Sequence, residues 1–204
     1  ELGVHFDATA PSRMEQLIAA PITAAEADRA RVLGMLWREQ RLSKVNPPVE
    51  AEAPQEPYVL VVDQSAGDRS IALGLADASC FQRMLQAALE EHPGCTVVLK
   101  VHPDVISGRA RGHFSAKDLA VPRVRLSADG GHPARLLERA RAVYVVTSQM
   151  GFEALLWGRP VHCFGMPFYG GWGLTHDRCE APIRRRQGAS LETLVHAALV
   201  AGLR

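Results

Sequence analysis

The 204-residue sequence has no stretch approaching the ~20 consecutive apolar residues that cross a bilayer, and no charged-then-apolar leader opens it. A cytoplasmic location is expected. Neither sign of charge is in surplus: a formal net charge of +1 gives no global attraction to nucleic acid or to an anionic membrane. No nucleic-acid partner is expected, and any anion site has to be local. The four cysteines, Cys80, Cys95, Cys163 and Cys179, form no CxxC pair, which argues against a zinc site or a disulfide framework and for reduced, mostly buried thiols. The Walker pattern GxxxxGK[ST] is missing, and Gly67 and Gly74 do not make GxGxxG, so ATP hydrolysis and a dinucleotide fingerprint are poorly supported. No DxD pair is present, and neither a metal nor a resident cofactor is expected.

What is present is ordinary for a folded chain: 47% hydrophobic and 22% charged residues, enough length for one domain plus an appendage. The chain opens on Glu1-Leu2-Gly3-Val4-His5-Phe6, which reads as a strand already under way and as part of a longer protein. Ser12 and Glu15 make a helix-start pattern. From Ala24 to Leu42, Ala27, Ala30, Val32, Leu33, Leu36 and Trp37 fall near helical spacing. Asn46 to Pro57, rich in Pro and Glu, reads as a linker. The expected division is therefore 1–45, an N-terminal strand and helices belonging to a preceding half; 46–57, the linker; and 58–204, a nucleotide-binding domain.

The last part alternates regularly. Tyr58–Val62, Thr96–Val101, Val121–Leu126, Ala142–Val146 and Pro160–Phe164 read as buried strands, and helices are expected over Ala78–Glu91, Pro133–Arg141, Gln149–Trp157 and Ser190–Ala201. Continuous apolar strands between amphipathic helices indicate an α/β fold: a Rossmann-like parallel sheet of about five strands with helices on both faces. In such sheets ligands bind beyond the carboxyl ends of the strands. Those loops are polar here: Asp63 to Ser70, His102-Pro103-Asp104, Thr147-Ser148-Gln149-Met150-Gly151, and Phe164 to Asp177.

Thr147-Ser148-Gln149 opens a helix directly after a strand, where hydroxyls and free N–H groups suit an anion such as phosphate. Simple capping would account for Ser148 alone. His102 ends a buried strand and is placed to meet phosphate, or to be a satisfied structural histidine. Asp68, in a polar loop with Gly67, suits a nucleophile or base, whereas Asp63 and Asp104 suit caps or turns. Phe164 and Gly165 start a segment of glycines and aromatics running to Thr175, which reads as a mobile cover for a flat ring, or equally as a turn with core aromatics. Arg184-Arg185-Arg186 reads as solvated surface, with an anion clamp as a minor alternative.

Val61-Val62-Asp63-Gln64 with Gly67-Asp68-Arg69-Ser70-Ile71, Lys100-Val101-His102-Pro103-Asp104, Tyr144 through Leu155, and Cys163-Phe164-Gly165 through Thr175 together resemble the capsule polysaccharide β-Kdo transferases of Gram-negative bacteria, the KpsC/LipA type. The resemblance runs from about Gly3 to Asp177. It implies one half of a GT-B-like retaining glycosyltransferase that moves Kdo, an eight-carbon acidic sugar, from the donor substrate CMP-Kdo to a lipid-linked acceptor of the phosphatidylglycerol type. It further implies Asp68 as nucleophile, and a donor site made by His102 and Ser148 on the phosphate with Gln64, Pro103, Thr147, Gln149, Phe164 and Gly165 around them. Capsule synthesis and export proteins are the implied partners, and a station peripheral to the inner membrane the implied place. The family's acceptor-binding half has no counterpart in these residues, so the chain alone is expected not to transfer sugar. A non-catalytic nucleotide-binding or interaction module of the capsule machinery, or an enzyme using another nucleotide sugar, are the competing readings.

Overall fold

The computed structural model describes residues 2–202, apart from the side chain of Pro103. Two helices come first, α1 (Arg13–Ala19) and α2 (Ala24–Glu39), each opened by a capping box: Ser12 with Glu15, and Thr23 with Glu26. Strands and helices then alternate through β1 (Tyr58–Val62), α3 (Arg69–Leu73), α4 (Ser79–Glu91), β2 (Thr96–Lys100), α5 (Pro103–Ile106), α6 (Ala116–Leu119), β3 (Val124–Ser127), α7 (Ala134–Arg139), β4 (Val143–Val145), α8 (Met150–Leu156), β5 (Val161–Cys163), β6 (His176–Asp177) and α9 (Leu191–His196). The last helix runs on into a π-helical turn at Ala197–Ala201.

All strand pairs are parallel, and the order is β3-β2-β1-β4-β5-β6. The expected α/β sheet is present, with a sixth strand at its edge. His176–Asp177 is only two residues long, too short to leave a hydrophobic period of its own. The core lies on both sides of the sheet, as the unbroken apolar strands require. Val59 and Val61 pack with Cys80, Phe81, Met84, Leu85 and Ala88, the apolar stripe of α4. Tyr58, Leu60 and Val62 face the other way, toward Leu136 and Leu137 of α7 and Phe152 and Ala154 of α8.

The N-terminal residues join this second layer. Ile18 of α1 and Ala30 of α2 belong to the same buried cluster as Leu60 and Val145, and α2 lies on α9. The opening apolar run is not a strand: Gly3 makes a single bridge to Ser12, and Leu2 and Val4 are exposed. Residues 46–57 are anchored despite their linker-like composition. Ala51 is fully buried and its N–H donates to the His132 carbonyl at 2.9 Å, while Asn46 Oδ1 meets His132 Nε2 at 3.0 Å.

The arginine run departs most from its reading as solvated surface, because only Arg186 stays outside, paired with Glu180. Arg185 is completely buried. Its Nε donates to Glu15 Oε1 at 2.6 Å and its Nη1 to the carbonyls of Pro167 (2.6 Å) and Gly170 (3.1 Å). Arg184 completes the clamp from Nε to Glu15 Oε2 at 2.8 Å, and from Nη2 to the carbonyls of Ala8 and Ala10. Burial by itself would raise the Glu15 carboxyl, but hydrogen bonds from the two guanidiniums outweigh it and hold the group below its ordinary 4.5.

A folded-state pKa that is depressed contributes stability in full above the unfolded value and loses it as pH falls. Urea unfolding followed across pH is therefore expected to show wild type weakening below about pH 4.5 more steeply than Glu15→Gln, and parallel acid limbs would refute the assignment. Arg185→Met, which leaves the buried Glu15 carboxylate with Arg184 as its remaining cation, is expected to cost about 1–3 kcal/mol at neutral pH.

Candidate functional site

The strand order reverses direction at β1, whose neighbours are β2 on one side and β4 on the other. The chain leaving β1 and the chain leaving β4 turn to opposite faces, and the crevice between them is where open α/β sheets bind ligands. Gln64, immediately after β1, spans that crevice. Its Oε1 accepts the Thr147 N–H at 2.9 Å, and its Nε2 donates to Thr147 Oγ1 (3.0 Å), Asp68 Oδ2 (3.2 Å) and Ser70 Oγ (3.3 Å). Ser70 Oγ also meets Thr147 Oγ1 at 3.0 Å. Gln64 and Thr147 are both buried, so one amide ties the two loops into a single polar knot.

The knot redistributes the roles expected from sequence. Thr147 is turned inward and serves the knot, leaving Ser148 and Gln149 as the groups facing outward. Ser148 is half-buried; its Oγ accepts the Met150 N–H at 3.3 Å and keeps its own proton to donate. Gln149 is exposed. Asp68 does not sit in an open loop. It caps α3, with Oδ1 accepting the Ser70 N–H at 2.9 Å and Oδ2 held by Gln64, while the residue itself stays exposed. Thus the structure brings Gln64, Asp68, Thr147 and Ser148 together.

His102 stands at the exit of β2, exposed, with Nδ1 accepting the Asp104 N–H at 3.2 Å and lying 3.3 Å from Ser65 Oγ. With Nδ1 accepting a backbone N–H, Nε2 is the ring nitrogen left to donate. Ser65 links it to the β1 loop that carries Asp68. Pro103 opens α5, and its side chain lies outside the described groups.

Phe164 and Gly165 are placed otherwise than expected. Phe164 is a buried member of the α4-side core, with the Arg178 guanidinium 5.9 Å from its ring. Gly165 is a packing residue: a Cβ there would stand 2.9 Å from Thr147 Cγ2 and 3.0 Å from the Gly74 carbonyl oxygen. The glycine and aromatic segment is not a mobile cover. Every residue from Phe164 to Trp172 is buried; Trp172 Nε1 donates to the Phe168 carbonyl at 2.9 Å, and the Tyr169 hydroxyl donates to the Ser148 carbonyl. Its aromatics brace the Ser148 turn from beneath.

Asp63 is also more than a cap. Buried at the end of β1, its carboxylate accepts the N–H groups of Gln64 and His113 and lies 3.2 Å from His113 Nδ1. His113 stacks on Phe81 at 3.7 Å, and Gly112 leaves no room for a side chain against the Asp63 carboxylate. This pairing, which straps residues 111–113 across the loop after β1, had no periodic signal in the sequence.

Comparison with known proteins adds what geometry leaves open. Residues 22–203 match the family model described as capsule polysaccharide biosynthesis protein. The capsule polysaccharide modification protein LipA of Neisseria meningitidis serogroup B is 42% identical over 188 residues, which are 87% of this chain and 26% of that protein. The lipopolysaccharide-processing protein LpsZ of Rhizobium meliloti is 35% identical over 97% of this chain and 46% of its own length. Among solved structures, the Thermosulfurimonas dismutans KpsC beta Kdo 2,4 transferase superposes with a TM-score of 0.86 at 39% identity, covering 97% of this chain and 63% of that one. The beta Kdo 2,7 transferase of the same organism's KpsC gives 0.74 at 29% identity, covering 97% and 60%. The chain thus spans about a quarter of the LipA relatives and under two thirds of the solved transferases.

Because Gln64 satisfies a buried N–H that nothing else reaches, Gln64→Leu is expected to lower unfolding free energy by about 1–3 kcal/mol. Hydrogen exchange at the Thr147 amide should accelerate in that variant. An unchanged exchange rate would mean that the two loops hold together without the amide.

Proposed function

The chain belongs to the capsule polysaccharide biosynthesis protein family, and on that premise we propose that it is the donor side of a retaining, GT-B-like glycosyltransferase that moves Kdo from CMP-Kdo to a lipid-linked acceptor. The observation that carries the reading is the Gln64 knot, which ties the exposed carboxylate of Asp68 to Thr147, the neighbour of Ser148, at the crevice of the sheet. The likeness to two solved Kdo transferases supports the sugar and the reaction class.

In this scheme the donor phosphate accepts hydrogen bonds from the Ser148 hydroxyl and His102 Nε2–H. Gln149 lies on the same turn, and Pro103 fixes the chain after His102. Asp68 attacks the anomeric carbon of Kdo while the bond to the phosphate oxygen breaks, and CMP leaves with the bonding electrons. Hydrogen bonding to the developing phosphate charge lowers the need for acid catalysis, and the scheme includes no metal. An acceptor hydroxyl then displaces Asp68 from the sugar and gives up its proton, so that two inversions return the original configuration. The acceptor site and its acid/base group are assigned to residues outside this chain, in keeping with the share of the Kdo transferases that it covers.

Among the described residues no helix is long and apolar enough to cross a membrane. The proposed phosphatidylglycerol-type acceptor would instead bring the enzyme to the cytoplasmic side of the inner membrane, among the capsule synthesis and export proteins.

Calorimetric titration with CMP, UMP and GDP tests the donor. CMP is expected to bind in preference to the others, and His102→Ala is expected to weaken CMP by about tenfold, as for loss of one hydrogen bond to a charged group. Preference for UMP or GDP would remove the Kdo assignment. In the protein together with its acceptor half, Asp68→Ala is expected to abolish transfer while leaving CMP affinity within about twofold. Transfer at the wild-type rate would eliminate the nucleophile.

A further inference from the structure

Helix α2 lies on α8 and α9, with Ala30, Leu33 and Trp37 turned toward the core, and its other face is open to solvent. On that open face Val32, Met35 and Leu36 are 53%, 50% and 42% exposed. A lone exposed apolar side chain needs no explanation. These three stand at i, i+3 and i+4, so they touch one another and make a single patch.

From Leu36 and Val32 the same helical stripe runs back through Arg29 to Ala25, and there it enters a hollow of about 400 Å³ between α1, α2 and the π-helical turn. Arg13 and Leu17 wall the hollow on α1, Glu26 and Arg29 on α2, and Val200 on the turn. That turn is widened by the Gly202 N–H reaching the Ala197 carbonyl at 2.8 Å, a geometry that recurs at functional sites. Glu26 is the one acid in the wall, and it is engaged: Oε2 accepts from the Thr23 N–H and Oγ1 at 2.8 Å each, and Oε1 lies 3.6 Å from His196 Nε2. Arg29 is exposed and makes no ion pair with a described acid.

We propose that this face of α2 docks on an anionic phospholipid bilayer: Arg13 and Arg29 receive a lipid phosphate at the hollow, and Val32, Met35 and Leu36 enter the headgroup boundary. A soluble phosphate would use the arginines and leave the patch bare, and a second copy of the chain would use the patch and leave the arginines idle. Phosphate carried on apolar chains uses both. Along this side Asp28 and Arg31 offset each other as an ion pair, which leaves Arg13, Arg29 and Arg38 against Glu26 and Glu39. The excess of positive charge is small, so the apolar patch carries a large share of the attraction and added salt weakens docking only in part. None of these residues belongs to the crevice between β1 and β4, so docking does not rest on the donor reading.

The test is cosedimentation with vesicles of phosphatidylcholine, alone or mixed with phosphatidylglycerol, with thermal unfolding and analytical ultracentrifugation alongside. Wild type is expected to bind the mixed vesicles at least about fivefold better than the neutral ones. Arg29→Ala removes a side chain that hydrogen-bonds to no described group, and Leu36→Gln keeps a good helix former on an exposed position. Each is expected to weaken binding to the mixed vesicles about fivefold at an unchanged melting temperature. Wild-type binding by both folded variants would overturn the assignment of this face, as would failure of wild type to bind either vesicle. Uptake of inorganic phosphate without vesicle binding would make the hollow a free-anion site, and a dimer that Leu36→Gln dissociates would make the patch a contact between copies; either result removes the bilayer. CMP affinity, titrated separately, is expected to be equal in all three proteins, so failure of the donor reading is seen independently of failure to dock.

Discussion

One buried amide sets the geometry on which the candidate site depends. A parallel sheet whose connections diverge at β1 and β4 necessarily opens a crevice there, and beyond the Ser70–Thr147 hydroxyl contact the two loops leaving it need a further tie to stay in register. Gln64 supplies one. It offers an acceptor to the Thr147 N–H and donors to Thr147, Ser70 and Asp68 from a single planar group, which neither a carboxylate nor an ammonium can do. Burial makes those bonds obligatory rather than optional, because water cannot replace them. Asp68 and the turn that carries Ser148 are linked through this arrangement.

The parts legible in the sequence are those where a single physical requirement dominates. Tyr58–Val62 and Thr96–Lys100 are unbroken apolar runs because both faces of a parallel strand are covered, and they read directly as strands. The polar loops at the strand ends follow from the same pattern. What could not be read depends on distant partners. Thr147 and Ser148 are adjacent hydroxyls with identical prospects in the sequence, and only a residue 83 positions earlier decides that the first turns inward. Glycines mixed with aromatics describe a hinged cover and a tightly packed brace equally well; the contact of Tyr169 with Ser148 makes it the brace.

Near-neutral overall charge conceals a sorted distribution of groups. Carboxylates gather along the β3 edge, histidine and hydroxyl donors gather over the crevice, and guanidinium groups are sunk beneath the aromatic brace.

The contact between Glu15 and Arg185 joins residues 170 positions apart. During synthesis from the N-terminus, Glu15 emerges long before its partner exists, and it stays hydrated while the sheet assembles behind it. The guanidinium can be sealed in only when that carboxylate swings back onto an almost finished core. Burial of Arg185 with its counter-ion therefore requires α1 to be docked, and until it is, the guanidinium beneath the brace has no carboxylate partner in Glu15. A nascent chain halted before Arg185 would carry the strands of the sheet and most of the polar knot with their foundation still unset.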